Sequence, residues 1–199
     1  ANMGLQLGAV SLRSTAESLL FNKKLPLSME YNRSRFPLKA NAEKPEIMQT
    51  SIGQGDTLVS PMHMAMITSA IANDGVMMKP TLIDGIVNAT GDRVASYRSV
   101  EYKQLLTSQE AETLKELMKG VVDYGTATSL SGRGYTVAGK TGTAEIDSDG
   151  NSHSWFVGFS NVEDPDLVVS VVIEYGGTGN EYAVPVAAQI FDAYHNTWY

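Results

Sequence analysis

The sequence predicts an α+β fold, an antiparallel sheet packed with helices. Two observations carry that expectation. Apolar residues recur at helical spacing in stretches before residue 125, and the period changes to two over residues 135–175. The period-two runs follow one another with short connections. Neighbouring strands must then be antiparallel, because a parallel pair needs a long crossover.

Leu12, Ala16, Leu19 and Leu20 place a first helix over residues 10–21. From Asn22 to Pro45 the pattern dissolves into Pro, Asn, Arg and Ser, and four of the seven prolines fall before residue 62. That stretch reads as an irregular connection. A second helix starts at Ser60, which can cap it, with Pro61 in a first turn where the missing N–H costs nothing. Met62, Met66, Ile67, Ala70 and Ile71 share its inner face, and Asn73-Asp74-Gly75 stops it. Met62, Met64 and Met66 continue that stripe, so they read as core filler rather than a soft-metal surface. Residues 80–98 look like short strands around the turn Asn88-Ala-Thr-Gly91-Asp92. Thr107-Ser-Gln-Glu110 spells a capping box. Leu114, Leu117, Met118, Val121 and Val122 form the half-buried stripe behind it, and Gly125 ends or bends that helix.

Tyr135 to Glu145, Ser154 to Ser160 and Leu167 to Tyr175 are the strand-like runs. Asp147-Ser-Asp149-Gly150-Asn151 joins the first pair, and Asp-Gly is a strong hairpin signal. Asn161 to Asp166 joins the second pair. A closing helix begins near Ala183, with Pro185 in its first turn and Ile190, Phe191 and Tyr194 on one side.

Composition narrows the function. At 199 residues, with 43% hydrophobic and 19% charged side chains, the chain can bury a core and is not disordered in character. Fifteen Lys+Arg against 22 Asp+Glu leave a net charge of −7 and a pI near 4.9. Nucleic acid and anionic membrane both demand clustered positive charge, so neither is expected as a partner. The longest apolar run, Leu167 to Ile173, is interrupted by Ser170 and too short to cross a bilayer. The absence of cysteine removes thiol catalysis, Cys-ligated zinc and disulfides together. His63, His153 and His195 lack metal-ligand spacing, so no bound metal is expected. The chain opens at Ala1 without an initiator Met or a signal segment, which suggests a fragment.

Gly134-Tyr-Thr-Val-Ala-Gly139-Lys140-Thr141 fits the phosphate-cradling pattern G-x-x-x-x-G-K-[ST]. That loop needs a strand before it and a helix starting at its Gly-Lys-Thr. Ser131-Gly132-Arg133 is poor strand material, and the residues after Thr141 break helices. A nucleotide-hydrolysing P-loop therefore ranks last among the readings. Gly176-Gly-Thr-Gly179 lacks a dinucleotide fingerprint and reads as a turn. Trp155, Phe156 and Phe159 read as core and cleft wall.

Read as a strand, Lys140-Thr141-Gly142-Thr143 sets a cation and two hydroxyls on an edge where glycine lets a ligand approach. Lys-Thr-Gly is also the signature of penicilloyl-serine enzymes. Five further segments agree with it in order. They are Gly4-Leu-Gln-Leu-Gly8-Ala9, Ser51-Ile-Gly53-Gln-Gly55 with the helix after it, Ala70 to Gly75, Gly125-Thr-Ala127, and Ser154-Trp-Phe-Val-Gly-Phe159. Together with Val137 to Glu145 they resemble the transpeptidase domain of class B penicillin-binding proteins across nearly the whole chain.

The resemblance implies a serine β-lactamase/transpeptidase-like fold and a D,D-transpeptidase that cross-links peptidoglycan stem peptides and is acylated by β-lactams. It makes Lys140 the catalytic cation beside the cleft. Thr141 and Thr143 would bind the terminal carboxylate, Gly142 would keep the edge clear, and the Thr143 N–H would donate to the oxyanion, typically worth about 3 kcal/mol. It also implies an extracytoplasmic domain anchored by an N-terminal membrane helix that these residues do not contain. The family's Ser-x-x-Lys and Ser-x-Asn occur nowhere in the 199 residues. Residues 1–199 are therefore expected to be the C-terminal portion of one transpeptidase domain, inactive alone. Self-association or pairing with the N-terminal half would cover its open edge. A second reading is a β-lactam-sensing or peptide-binding domain of the same fold that does not turn over.

Overall fold

The computed structural model describes residues 1–147 and 149–198. Its elements are α1 (Asn2–Ser18), α2 (Lys44–Thr50), α3 (Pro61–Ala72), β1 (Val76–Met78), β2 (Gly85–Val87), β3 (Arg93–Ser96), β4 (Glu101–Gln104), α4 (Ser108–Asp123), β5 (Val137–Glu145), β6 (Ser152–Ser160), β7 (Val168–Ile173) and α5 (Val184–Trp198). A short 3-10 turn, Thr128–Leu130, precedes β5, and a π-helical turn, Gly179–Ala183, leads into α5.

The main sheet has the order β5-β6-β7 and is antiparallel throughout. Alternation along the strands gives it two covered faces. On one, Ala138 and Phe159 pack with Met66, Ile67, Ala70 and Ile71 of α3 and Met118 of α4. On the other, Val137, Phe156, Val169 and Val171 pack with Ala187, Ala188 and Phe191 of α5 and Val122 of α4. A separate cluster joins Ala9 and Ala16 of α1 to Phe36 and Leu38. The α+β expectation is met.

Capping chemistry behaves as the sequence suggested. Ser60 Oγ accepts from the His63 N–H, and Thr107 and Glu110 form the reciprocal capping box. Asp74 (φ 51°) and Gly75 (φ 87°) turn the chain out of α3. Asp147 accepts from the backbone N–H groups of Asp149 and Asn151 at the β5–β6 turn. Ser148 of that turn, and Tyr199, lie outside the described residues.

Several expectations are corrected. The first helix spans Asn2–Ser18 rather than residues 10–21, with a break at Gly8 (φ 75°, ψ 164°). Its opening turns, where the resemblance of Gly4 to Ala9 implied a helix, carry no apolar stripe, because Met3 and Leu7 face solvent while the buried contact is Gly4 against Ser51. The irregular stretch ends in a short helix, α2, whose only buried residue is Thr50, so no apolar stripe marks it. Strands β1 and β4 pair with each other outside the β2–β3 hairpin. Fully exposed β4 has no alternation to betray it.

Individual core assignments also move. Leu117 is 63% exposed, whereas Lys115 on the same helix is only 8% exposed and bonds Asp74 Oδ1 at 2.7 Å. Met66 is buried and Met64 packs against the core, but Met62 lies outside it. Ile190 is likewise 40% exposed while Phe191 is fully buried. Among the described residues no helix is long and apolar enough to cross a membrane.

Candidate active site

The four residues Lys140, Thr141, Gly142 and Thr143 lie mid-strand on β5, which is an edge of the three-stranded sheet. This geometry rules out a P-loop, since residues 137–141 are extended and pair with β6 where a loop and helix start would have to be. Gly139, the would-be phosphate glycine, has a packing role. A Cβ there would lie 2.4 Å from Phe156 Cζ, because that ring covers the Gly139–Gly158 pair.

Alternation sets Thr141 and Thr143 on the Phe156 face and Lys140 and Gly142 on the Val157 face. The predicted residues therefore converge on one edge rather than one face. Lys140 is exposed, and its Nζ donates to the Thr141 carbonyl at 2.6 Å. The Thr143 carbonyl accepts from Gln54 Nε2 at 3.1 Å. Neither carbonyl is directed at β6, so both point outward from the sheet. In an extended strand a residue's N–H and C=O project to the same side. The backbone N–H groups of Thr141 and Thr143 thus also face the open edge.

Two distant segments brace this edge. Thr126, in the Gly125-Thr-Ala127 segment after α4, places its Oγ1 2.7 Å from Thr141 Oγ1. Gln54 reaches Thr143 from the Gly53-Gln-Gly55 loop after α2. The sequence singled out both segments, but only as places of resemblance. No periodicity or composition connects Gln54 to a strand 89 positions away.

The turn Gly176-Gly-Thr-Gly179 also proves to be more than a connection. Gly179 lies against the β5–β6 pair, where a Cβ would sit 2.6 Å from the Trp155 carbonyl and 2.7 Å from that of Gly142. Fully buried Ser154 holds it there, donating to the Thr178 carbonyl at 2.8 Å and accepting from the Ala183 N–H at 3.0 Å.

Chemically, the edge offers an ammonium, two hydroxyls and two outward N–H groups, with its outward carbonyls already engaged. Such an edge suits a carboxylate or a developing oxyanion. No group of three or more His, Asp or Glu capable of holding a metal ion is found among the described residues. His63 is fully buried on α3 instead, with Nε2 2.8 Å from the Leu19 carbonyl.

Comparison with known proteins gives the arrangement a context. The family model described as the penicillin binding protein transpeptidase domain matches residues 1–193. The chain belongs to that family. It is 30% identical over 97% of its length to penicillin-binding protein 3 of Bacillus subtilis, covering 29% of that protein. It is 28% identical over 96% of its length to the peptidoglycan D,D-transpeptidase PbpA of Mycobacterium tuberculosis, covering 40% of it. Among solved structures, a D,D-transpeptidase domain from Eggerthella lenta superposes with a TM-score of 0.85 at 32% identity, over 99% of this chain and 50% of that one. The imipenem acyl-enzyme of penicillin-binding protein A from M. tuberculosis superposes with a TM-score of 0.84 at 27% identity, over 96% of this chain and 43% of that one. The chain thus spans half or less of the relatives it matches.

Proposed function

We propose that residues 1–199 form the Lys-Thr-Gly side of a serine acyl-transfer site in a peptidoglycan D,D-transpeptidase. The nucleophilic serine belongs to residues outside these 199, since no Ser-x-x-Lys or Ser-x-Asn occurs among them. The substrate would be a D-Ala-D-Ala stem peptide, and β-lactams would acylate the same serine, in keeping with the imipenem acyl-enzyme complex of the M. tuberculosis relative. The catalytic domain would work on the extracytoplasmic face of the cell membrane.

One observation carries the reading: the open edge of β5 presents Lys140, the Thr141 and Thr143 hydroxyls and the outward Thr143 N–H together. Lys140 supplies positive charge beside the relay that activates the serine and draws in a carboxylate. The threonine hydroxyls orient that carboxylate. The Thr143 N–H donates to the tetrahedral oxyanion, a contribution typically of about 3 kcal/mol. Gly142 keeps the edge free of a side chain where the substrate lies.

Labelled penicillin tests this. The full-length protein should be acylated at a serine outside residues 1–199, and residues 1–199 alone should not be labelled. Lys140→Ala in the full-length protein should slow acylation by about a hundredfold or more, the scale of losing one preorganised electrostatic group. Covalent labelling of any serine within residues 1–199 would overturn the assignment. A full-length protein that acylates but never transfers the acyl group to an amine acceptor would favour the sensing or peptide-binding alternative.

A further inference from the structure

The proposed transpeptidase reading leaves Gln54 without a role, yet the structure gives it a particular position. It stands between Gly53 (φ 83°) and Gly55 (φ 75°), in the turn that ends α2. Its own N–H donates to the Gln49 carbonyl at 3.0 Å, and that of Gly53 donates to Thr50 at 3.0 Å. The turn is therefore held by its backbone, and the half-buried side chain is delivered across to the sheet. There Nε2 donates to the Thr143 carbonyl at 3.1 Å.

That carbonyl lies on the open edge, beside the outward N–H of the same residue. An unengaged carbonyl at that point would oppose a developing oxyanion and would invite another strand to pair with the edge. The amide of Gln54 occupies it and holds the Thr143–Ala144 peptide, and through the extended backbone of Thr143 it steadies the adjoining Gly142–Thr143 peptide, whose N–H faces the same side. Lys140 occupies the neighbouring outward carbonyl, of Thr141, at 2.6 Å. Between them, the two side chains turn a sheet edge of alternating donors and acceptors into one that mainly offers donors.

We infer that Gln54 is a positioning residue for acyl transfer, holding the Thr143 carbonyl so that the Thr143 N–H stays aimed at the oxyanion. The inference rests on the transpeptidase reading. It assigns Gln54 no contact with substrate and no proton to carry. Its effect should fall on the acylation step rather than on initial binding, because the aim of the N–H matters most when charge develops.

The test uses the full-length protein and a fluorescent penicillin, separating the acylation rate constant from the non-covalent binding constant. Gln54→Met keeps the shape and removes the donor. It should slow acylation about fivefold to tenfold, the worth of one ordinary hydrogen bond, with binding changed less than about twofold. Gln54→Glu sets a carboxylate against the carbonyl and should be slower still at pH 7.5. Its rate relative to the native protein should recover towards pH 5, where a protonated carboxyl can again donate. Unfolding would give no such recovery, so a destabilised variant is distinguished from a mispositioned one. Gln54→Met within about twofold of the native rate, or a loss confined to binding, overturns the role of Gln54 while leaving the transpeptidase reading standing. A native full-length protein that takes no label overturns both.

Discussion

His63 sits on α3 with its ring 4.9 Å from that of Phe21 and its Nε2 2.8 Å from the Leu19 carbonyl. A carbonyl only accepts, so the ring must carry its proton on Nε2, while buried Nδ1 has no hydrogen-bond partner. Burial pushes the imidazole pKa below its ordinary value, against the opposing pull of the Leu19 carbonyl. The unfolded chain therefore binds a proton that the folded one refuses. Stability should be fully present above about pH 6.5 and fall as the pH drops from there through the folded value. Urea denaturation at pH 7.5 and pH 5 should show this loss, and His63→Gln, which keeps a donor but cannot titrate, should flatten it. Equal slopes for both proteins would refute the assignment. The sequence showed three scattered histidines and no metal spacing, and nothing in it distinguished this one. Its ring partner, the Leu19 carbonyl, lies 44 positions away in the chain.

At the scale of elements, two devices fix the edge strand, and neither follows from periodicity. The first is the return of the chain after β7. Because Gly179 lies against the backbone of Gly142 and Trp155, Gly179→Ala should force the turn away from the sheet. Overpacking of this kind costs about 1–3 kcal/mol, measurable by equilibrium urea unfolding. An unchanged midpoint would show that the turn yields freely. The second device ties α5 to the entrance of β5. Asp192 accepts from Arg133 and, at 2.6 Å, from the Tyr135 phenol. Burial, helped by the carboxylate, pushes the Tyr135 phenol up to about 12, so it remains a donor well into the alkaline range. The Asp192 side chain is 42% exposed, and solvent screening discounts its ion pair. Asp192→Asn should therefore cost only about 1 kcal/mol in thermal unfolding, a small loss compared with a buried pair. The helices were legible wherever a cap or a wide apolar stripe marked them, as at Ser60 and Thr107. Elements that bury little, such as α2 and β4, left no such mark.

For the molecule as a whole, the sheet has β5 and β7 at its two edges. On β5 the outward carbonyls of Thr141 and Thr143 are engaged by side chains. Met3, Leu7 and Val10 add exposed apolar surface along α1. With β5 so engaged, we expect residues 1–199 in isolation to self-associate through the β7 edge and this α1 surface, with a mass above the monomer by light scattering and binding of an apolar-surface dye. A monodisperse monomer that binds no dye would contradict this. Charge also acts at this scale. Under the proposed reading, the net charge of −7 on these residues would oppose a substrate ending in carboxylate, and recognition would rest on the local field at Lys140.

By itself, the sequence determined the α+β class, the main strands, the capped helices and the edge residues Lys140 to Thr143. Each of these is written in local spacing or in a contiguous motif. The tertiary structure alone decided what engages that edge. It showed that Gly139 makes room for Phe156, that Gly179 packs on Gly142, and that Thr126 and Gln54 reach Thr141 and Thr143. These are contacts between segments far apart in the chain. Their geometry exists only after the sheet has closed, because backbone hydrogen bonding, not local propensity, sets which carbonyls point outward.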